Sequence, residues 1–64
     1  MAQAKLDANA AIDALTYLSD DEKTAYKQQV ASATTVEDAN NVVTAATTQN
    51  LANAKTWELA KSPA

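Results

Sequence analysis

The chain has 64 residues, a formal net charge of −3 and 47% hydrophobic residues, and it lacks Gly, Cys and His altogether. Those missing residue types exclude disulfides, zinc sites, imidazole bases, thiol nucleophiles and Gly-rich phosphate loops. The acidic balance speaks against nucleic acid or an anionic membrane surface as a partner.

One small domain is the upper bound, and a domain of this size buries only ~60% of its unfolded surface. The larger apolar side chains are few: Ile12, Leu15, Leu18, Val30, Val36, Val42 and Val43, with Tyr26 the aromatic best placed for burial. Ala, Lys, Gln and Glu favour helix, and alternating β-branched and aromatic runs are missing. The chain is therefore read as all-α. No apolar run approaches the ~20 residues that span a bilayer. Met1-Ala2 leads straight into helical sequence, without the basic and apolar regions of a signal peptide.

The first helix is predicted from about Gln3 to Tyr17. Met1, Ala4, Ala8, Ala11, Ile12, Leu15 and Leu18 share one face at three-and-four spacing, whereas Lys5, Asp7, Asn9 and Asp13 fall off it. Leu6 sits on the polar side as a lone exposed leucine. Ser19 through Glu22 spells an S-x-x-E capping box, with Leu18 before it as a hydrophobic staple. Asp20 and Asp21 add charge that suits the start of a helix. The second helix then runs to about Ser32, burying Tyr26, Val30 and Ala33. On its surface Lys23 and Lys27 are placed to pair with Asp20 or Glu22.

Ala33 through Val43 organises the rest of the chain. It reads as a helix end, a two-residue corner, and a capped helix start. Thr35 is the expected N-cap, followed by the dipole-matched acids Glu37 and Asp38. So short a corner folds the two helices back on each other. The third helix is predicted from Val36 to near Lys61, with Val36, Ala39, Val42, Val43 and Ala46 as its buried stripe and Ala54 and Trp57 close to it. The Thr44 to Asn50 stretch, rich in Thr and Asn, is a weak helix former that leaves room for fraying beyond about Asn50, and Ser62-Pro63 marks the stop of the helix.

Met1-Ala2-Gln3-Ala4-Lys5 is echoed by Leu51-Ala52-Asn53-Ala54-Lys55, an offset of about 50 residues within the range of repeat arrays. The match lapses after Lys55. On this reading residues 1–50 form a three-helix module, and residues 51–64 extend its third helix toward a following copy. Copies joined by continuous helix would form a stiff string.

Carboxylates are the only catalytic groups left, and they cluster at helix starts, where capping accounts for them. A bundle this small has little room for a substrate cavity of about 300 Å³ or more. No enzyme, cofactor or metal is expected. Trp is enriched at binding hot spots, but the plainer reading of Trp57 is a residue that caps one end of the core or marks a repeat boundary.

The face from Met1 to Leu18 resembles the opening of the FIVAR and GA-type modules of Gram-positive surface proteins. Asp21-Glu22-Lys23-Thr24-Ala25-Tyr26-Lys27-Gln28-Gln29-Val30 resembles their second helix, and Ala33-Thr34-Thr35-Val36-Glu37-Asp38-Ala39-Asn40 their third-helix entry. The likeness covers roughly Met1 to Asn50. It implies a left-handed three-helix bundle, repeated in tandem within long wall-anchored adhesins at the bacterial cell surface. Members include albumin-binding modules and repeats of extracellular-matrix-binding proteins. In albumin-binding members the contact surface lies on helix 2, the following turn and the start of helix 3. Here those positions include Ala25, Gln28, Gln29, Asp38 and Asn40, and Asp38 stands where such members tend to carry Gly.

Ala25, Tyr26, Gln29, Asp38, Val42 and Val43 are accordingly the candidate partner-binding residues. Because that surface is small or charged, the first expectation is a monomeric, non-catalytic adhesin repeat. It would act as a stalk or spacer whose partners are neighbouring repeats. The alternative is a dedicated binder of serum albumin or a matrix glycoprotein.

Overall fold

The computed structural model describes residues 1–61. Three helices, α1 (Ala2–Asp13), α2 (Asp20–Ser32) and α3 (Val36–Lys61), each pack against the other two in an all-α three-helix bundle. The expected stop at Ser62-Pro63 lies outside the described residues. At 1.5 Å rise per residue, α1 is about 18 Å long and α3 about 39 Å. This difference stretches the molecule to 47 × 18 × 14 Å. The chain starts at the corner end of the bundle, and α3 runs past the opposite end, where the α1–α2 loop lies.

The core is mostly alanine. Ile12 and Val30 are the large side chains wholly out of water, joined by Ala8, Leu18, Ala33, Ala39 and Ala46. Leu15, Tyr26, Val42 and Val43 pack around them, half-buried. Alanine contacts let helix axes approach closely but remove little area from water, at roughly 25 cal/mol per Å².

Both predicted caps form. The Ser19 hydroxyl accepts from Glu22 N at 3.1 Å, and Glu22 Oε1 accepts from Ser19 N at 3.0 Å. The corner is three residues, Ala33 to Thr35, one more than expected. Thr35 Oγ1 accepts from Asp38 N at 3.0 Å, and Thr34 Oγ1 donates to Asp38 Oδ2 at 3.0 Å.

Helix α1 ends at Asp13, four residues before the expected Tyr17. Contacts distant in sequence end it. Lys23 Nζ donates to the Asp13 carbonyl at 3.2 Å, and Lys27 pairs with the Asp13 carboxylate. These two lysines thus neutralise the end of α1, where the helix dipole is negative, instead of pairing with Asp20 or Glu22 as expected. The Tyr17 amide donates to Asn50 Oδ1 at 2.8 Å. Asn53 Nδ2 donates to the Tyr17 carbonyl at 2.8 Å and to Glu22 Oε1 at 3.0 Å, and Gln49 Nε2 steadies Asn53 Oδ1 at 2.8 Å. The loop before α2 is therefore clamped by amides from α3.

Helix α3 continues unbroken to Lys61, the end expected from the sequence. Thr44, Thr47, Thr48 and Thr56 each return their hydroxyl to the carbonyl four residues earlier, so they meet their own polar demand within the helix.

Three expectations of burial are corrected. Val36 is 51% exposed, because it opens α3 beside the capped corner while Ala33 and Ala39 take the core positions. Met1 is exposed at the first turn of α1. Trp57 does not cap the core. It is 49% exposed and leans on Tyr17 with ring centroids 5.9 Å apart. Two polar residues depart the other way. Lys5 is half-buried with Nζ on the Ala31 carbonyl at 2.9 Å, covering the end of α2. Asn9 is half-buried too, and its Oδ1 meets no hydrogen-bond donor among the described residues.

Val30→Ala should cost about 1–3 kcal/mol through the cavity it leaves, and Thr35→Ala about 1 kcal/mol through the lost cap. Val36→Ala should cost less than either, and denaturant melts of the three variants check this order. The Glu22 carboxyl is held below its ordinary value of 4.5, chiefly by the Ser19 backbone hydrogen bond. Desolvation opposes that shift, and the Asn53 and Ser19 side chains add to it. A depressed carboxylate stabilises the fold above its unfolded pKa, and the stabilisation is lost as pH falls through the folded value. Acidification from about pH 5 to about pH 3 should therefore lower the melting temperature more in the wild type than in Glu22→Gln.

Candidate functional site

The surface of α2 and α3 next to the corner is concave. Ala25, Gln28, Gln29, Ser32, Ala33, Asp38, Asn41 and Val42 line an open groove of about 620 Å³. Its geometry follows from helix periodicity. Ala25, Gln28, Gln29 and Ser32 recur at three and four along α2, as do Asp38, Asn41 and Val42 along α3, so the two rows face each other across the packed Ala33. The apolar floor is built from small groups, the methyls of Ala25 and Ala33 and the half-buried side of Val42. Amides, one hydroxyl and one carboxylate form the rim.

Of the residues singled out from sequence, Ala25, Gln29, Asp38 and Val42 come together here. Tyr26 and Val43 do not. Each is one position away from a lining residue and, like Val42, is half-buried against the core. Gln28 also lines the groove, while Asn40 is exposed elsewhere on α3. Ser32, Ala33 and Asn41 were not anticipated as site residues. The spacing from Gln28 and Gln29 to Ser32, and from Asp38 to Asn41, was the signal that could have found them.

The carboxylate of Asp38 is tied to the Thr34 hydroxyl. It thus closes the corner as well as bordering the groove. Nothing in the lining pairs a nucleophile with a base. The arrangement can do one thing chemically, which is to accept a shaped, mostly apolar projection and hydrogen-bond its edges. An open groove of this kind suits a protein surface better than a small molecule, which is usually enclosed on most sides.

A second concavity of about 580 Å³ lies at the opposite end of α2, lined by Thr16, Tyr17, Leu18, Ser19, Glu22 and Trp57. Among the described residues no helix is long and apolar enough to cross a membrane.

Searches among curated proteins and among solved structures returned no significant match. The family model of the GA module matches residues 1–52, which spans all of α1 and α2 and the first two thirds of α3. GA modules are a family of albumin-binding modules, not enzymes, found in Gram-positive surface proteins. The chain belongs to the GA module family.

Proposed function

We propose that this chain is a non-catalytic binding module that takes serum albumin on the groove between α2 and α3. The carrying observation is that groove. It lies on α2, the corner and the start of α3, the surface through which albumin-binding members of the resembled family make contact, and its floor is apolar. The substitution of charge and amide at the rim (Asp38, Gln28, Gln29) narrows what can dock there but leaves the floor open. Small groove-lining side chains lose little conformational entropy on binding, so a modest apolar contact can still yield measurable affinity.

Titration calorimetry against serum albumin, with fibronectin in parallel as the matrix glycoprotein, tests the reading. Saturable heat with albumin is expected. Ala25→Glu, an exposed position, should weaken it at least about tenfold, which is about 1.4 kcal/mol, without changing the melting temperature. Absence of heat at high micromolar concentration would remove the proposal. Heat with fibronectin alone would move the groove to a different ligand.

A second reading rests on separate observations, the unbroken 26 residues of α3 and the echo of Met1–Lys5 at Leu51–Lys55. In it, residues 1–50 are one repeat of a wall-anchored adhesin, and the helix that continues from Leu51 to Lys61 leads toward the next. The module is then a monomeric spacer in a stiff stalk. Small-angle scattering on a two-copy chain should give a rod-like pair. A pair that behaves as freely jointed globules contradicts this reading.

A further inference from the structure

We infer that the contacts between Tyr17 and α3 form a mechanical shunt. They carry tension applied along the molecule from α1 directly into α3, and keep α2, the corner and the groove out of the load path. The use of such a device rests on the stalk reading above, in which neighbouring copies pull on the module lengthwise. The mechanics belong to the single module.

Topology sets the direction of load. Lys5 meets Ala31 at the corner end of the bundle, and Tyr17 meets Asn50 at the opposite end, so α1 and α3 run parallel. Met1 and the end of α3 therefore lie at opposite ends of a molecule 47 Å long. Tension between them draws α1 and α3 past each other. Followed along the covalent chain, that load would reverse twice, passing through α2 and the corner. The alanine-rich core resists such sliding only weakly, because burial is non-directional.

The contacts at Tyr17 offer a shorter route. Both main-chain groups of this loop residue are held by α3, the amide by Asn50 Oδ1 and the carbonyl by Asn53 Nδ2, each at 2.8 Å. The Tyr17 ring adds a further contact with α3 by leaning on Trp57. Lengthwise tension loads these contacts together, so they give way as a set and not one after another. Asn53 is braced in turn by Gln49 and by the Glu22 carboxylate. Load entering at Met1 thus runs through α1 to Tyr17, crosses to Asn50 and Asn53, and leaves along residues 51–61. Residues 18–49 are bypassed, and they include all of α2, the corner and every residue that lines the groove. A pull that parts the corner ends of α1 and α3 acts differently. It opens the bundle from that end and reaches Tyr17 last.

The chain has no cysteine, so exposed positions can be converted singly into attachment points for optical-tweezers handles. Ala2→Cys with Ala60→Cys loads the shunt, whereas Ala2→Cys with Val36→Cys, both at the corner end, peels the bundle open. The readout is the lifetime of the folded module at constant force, which the unfolding rate governs. The lengthwise pair should outlive the corner pair at equal force. Asn50→Ala should shorten the lengthwise lifetime roughly fivefold, as expected when one such hydrogen bond is lost from the barrier, and should leave the corner-pair lifetime unchanged. Asn53→Ala should behave in the same way. Equal shortening in both geometries would reveal a plain loss of stability and overturn the inference. So would an unaltered lengthwise lifetime in both variants, or a lengthwise pair that fails sooner than the corner pair. Single modules are pulled, so the outcome is independent of whether two copies scatter as the rod that the stalk reading requires.

Discussion

The structure depends on the amides that α3 sends into the α1–α2 loop. Hydrophobic burial is non-directional, and a core of two wholly buried large side chains among alanines resists axial sliding of the helices only weakly. Asn50 and Asn53 supply the missing direction. They hold the Tyr17 amide and carbonyl and reach Glu22 in the capping box, so one polar cluster joins α3, the loop and the start of α2. Such hydrogen bonds contribute only about 0.5–1.5 kcal/mol each net, but their geometry admits a single register. At the other end Lys5 on Ala31 and the Thr34–Thr35–Asp38 cluster do the same for the corner. Polar locks at both ends therefore define the middle.

This division explains what could be read from the sequence. The Ser19 and Thr35 caps are local, so the residue types and their spacing sufficed, and the starts of α2 and α3 were legible. The end of α1 was not. It is set by Lys23, Lys27 and Asn50, which lie 10 to 37 residues away from Asp13. Asn and Thr lower intrinsic helix propensity in α3, yet Asn50 and Asn53 are spent on the loop and the threonines satisfy themselves, so the same residues that predicted weakening secure the helix. Val36 has the composition of a core residue but opens a helix at a corner, where position decides exposure.

The same logic applies to the candidate site. Four of the six residues chosen from the sequence share the groove, because helical spacing alone brings Ala25 and Gln29 opposite Asp38 and Val42. Tyr26 and Val43 look equally suited in a linear reading, but a single step along the helix takes them out of the groove lining. The groove beside the corner is built from small groups at its floor, and the concavity at the other end of α2 is lined by Tyr17, Glu22 and Trp57. Both borrow their shape from the polar locks, since the first flanks the corner and the second stands on the clamped loop.

Hydrogen exchange at the Tyr17 amide tests the clamp most directly. The loop lies outside regular helix, so an unclamped Tyr17 amide would exchange nearly as fast as an open chain. The account predicts protection approaching that of the α2 interior in the wild type, and its collapse in Asn50→Ala while the α2 amides keep most of theirs. A Tyr17 amide that exchanges freely in the wild type, or one equally protected in Asn50→Ala, would contradict it.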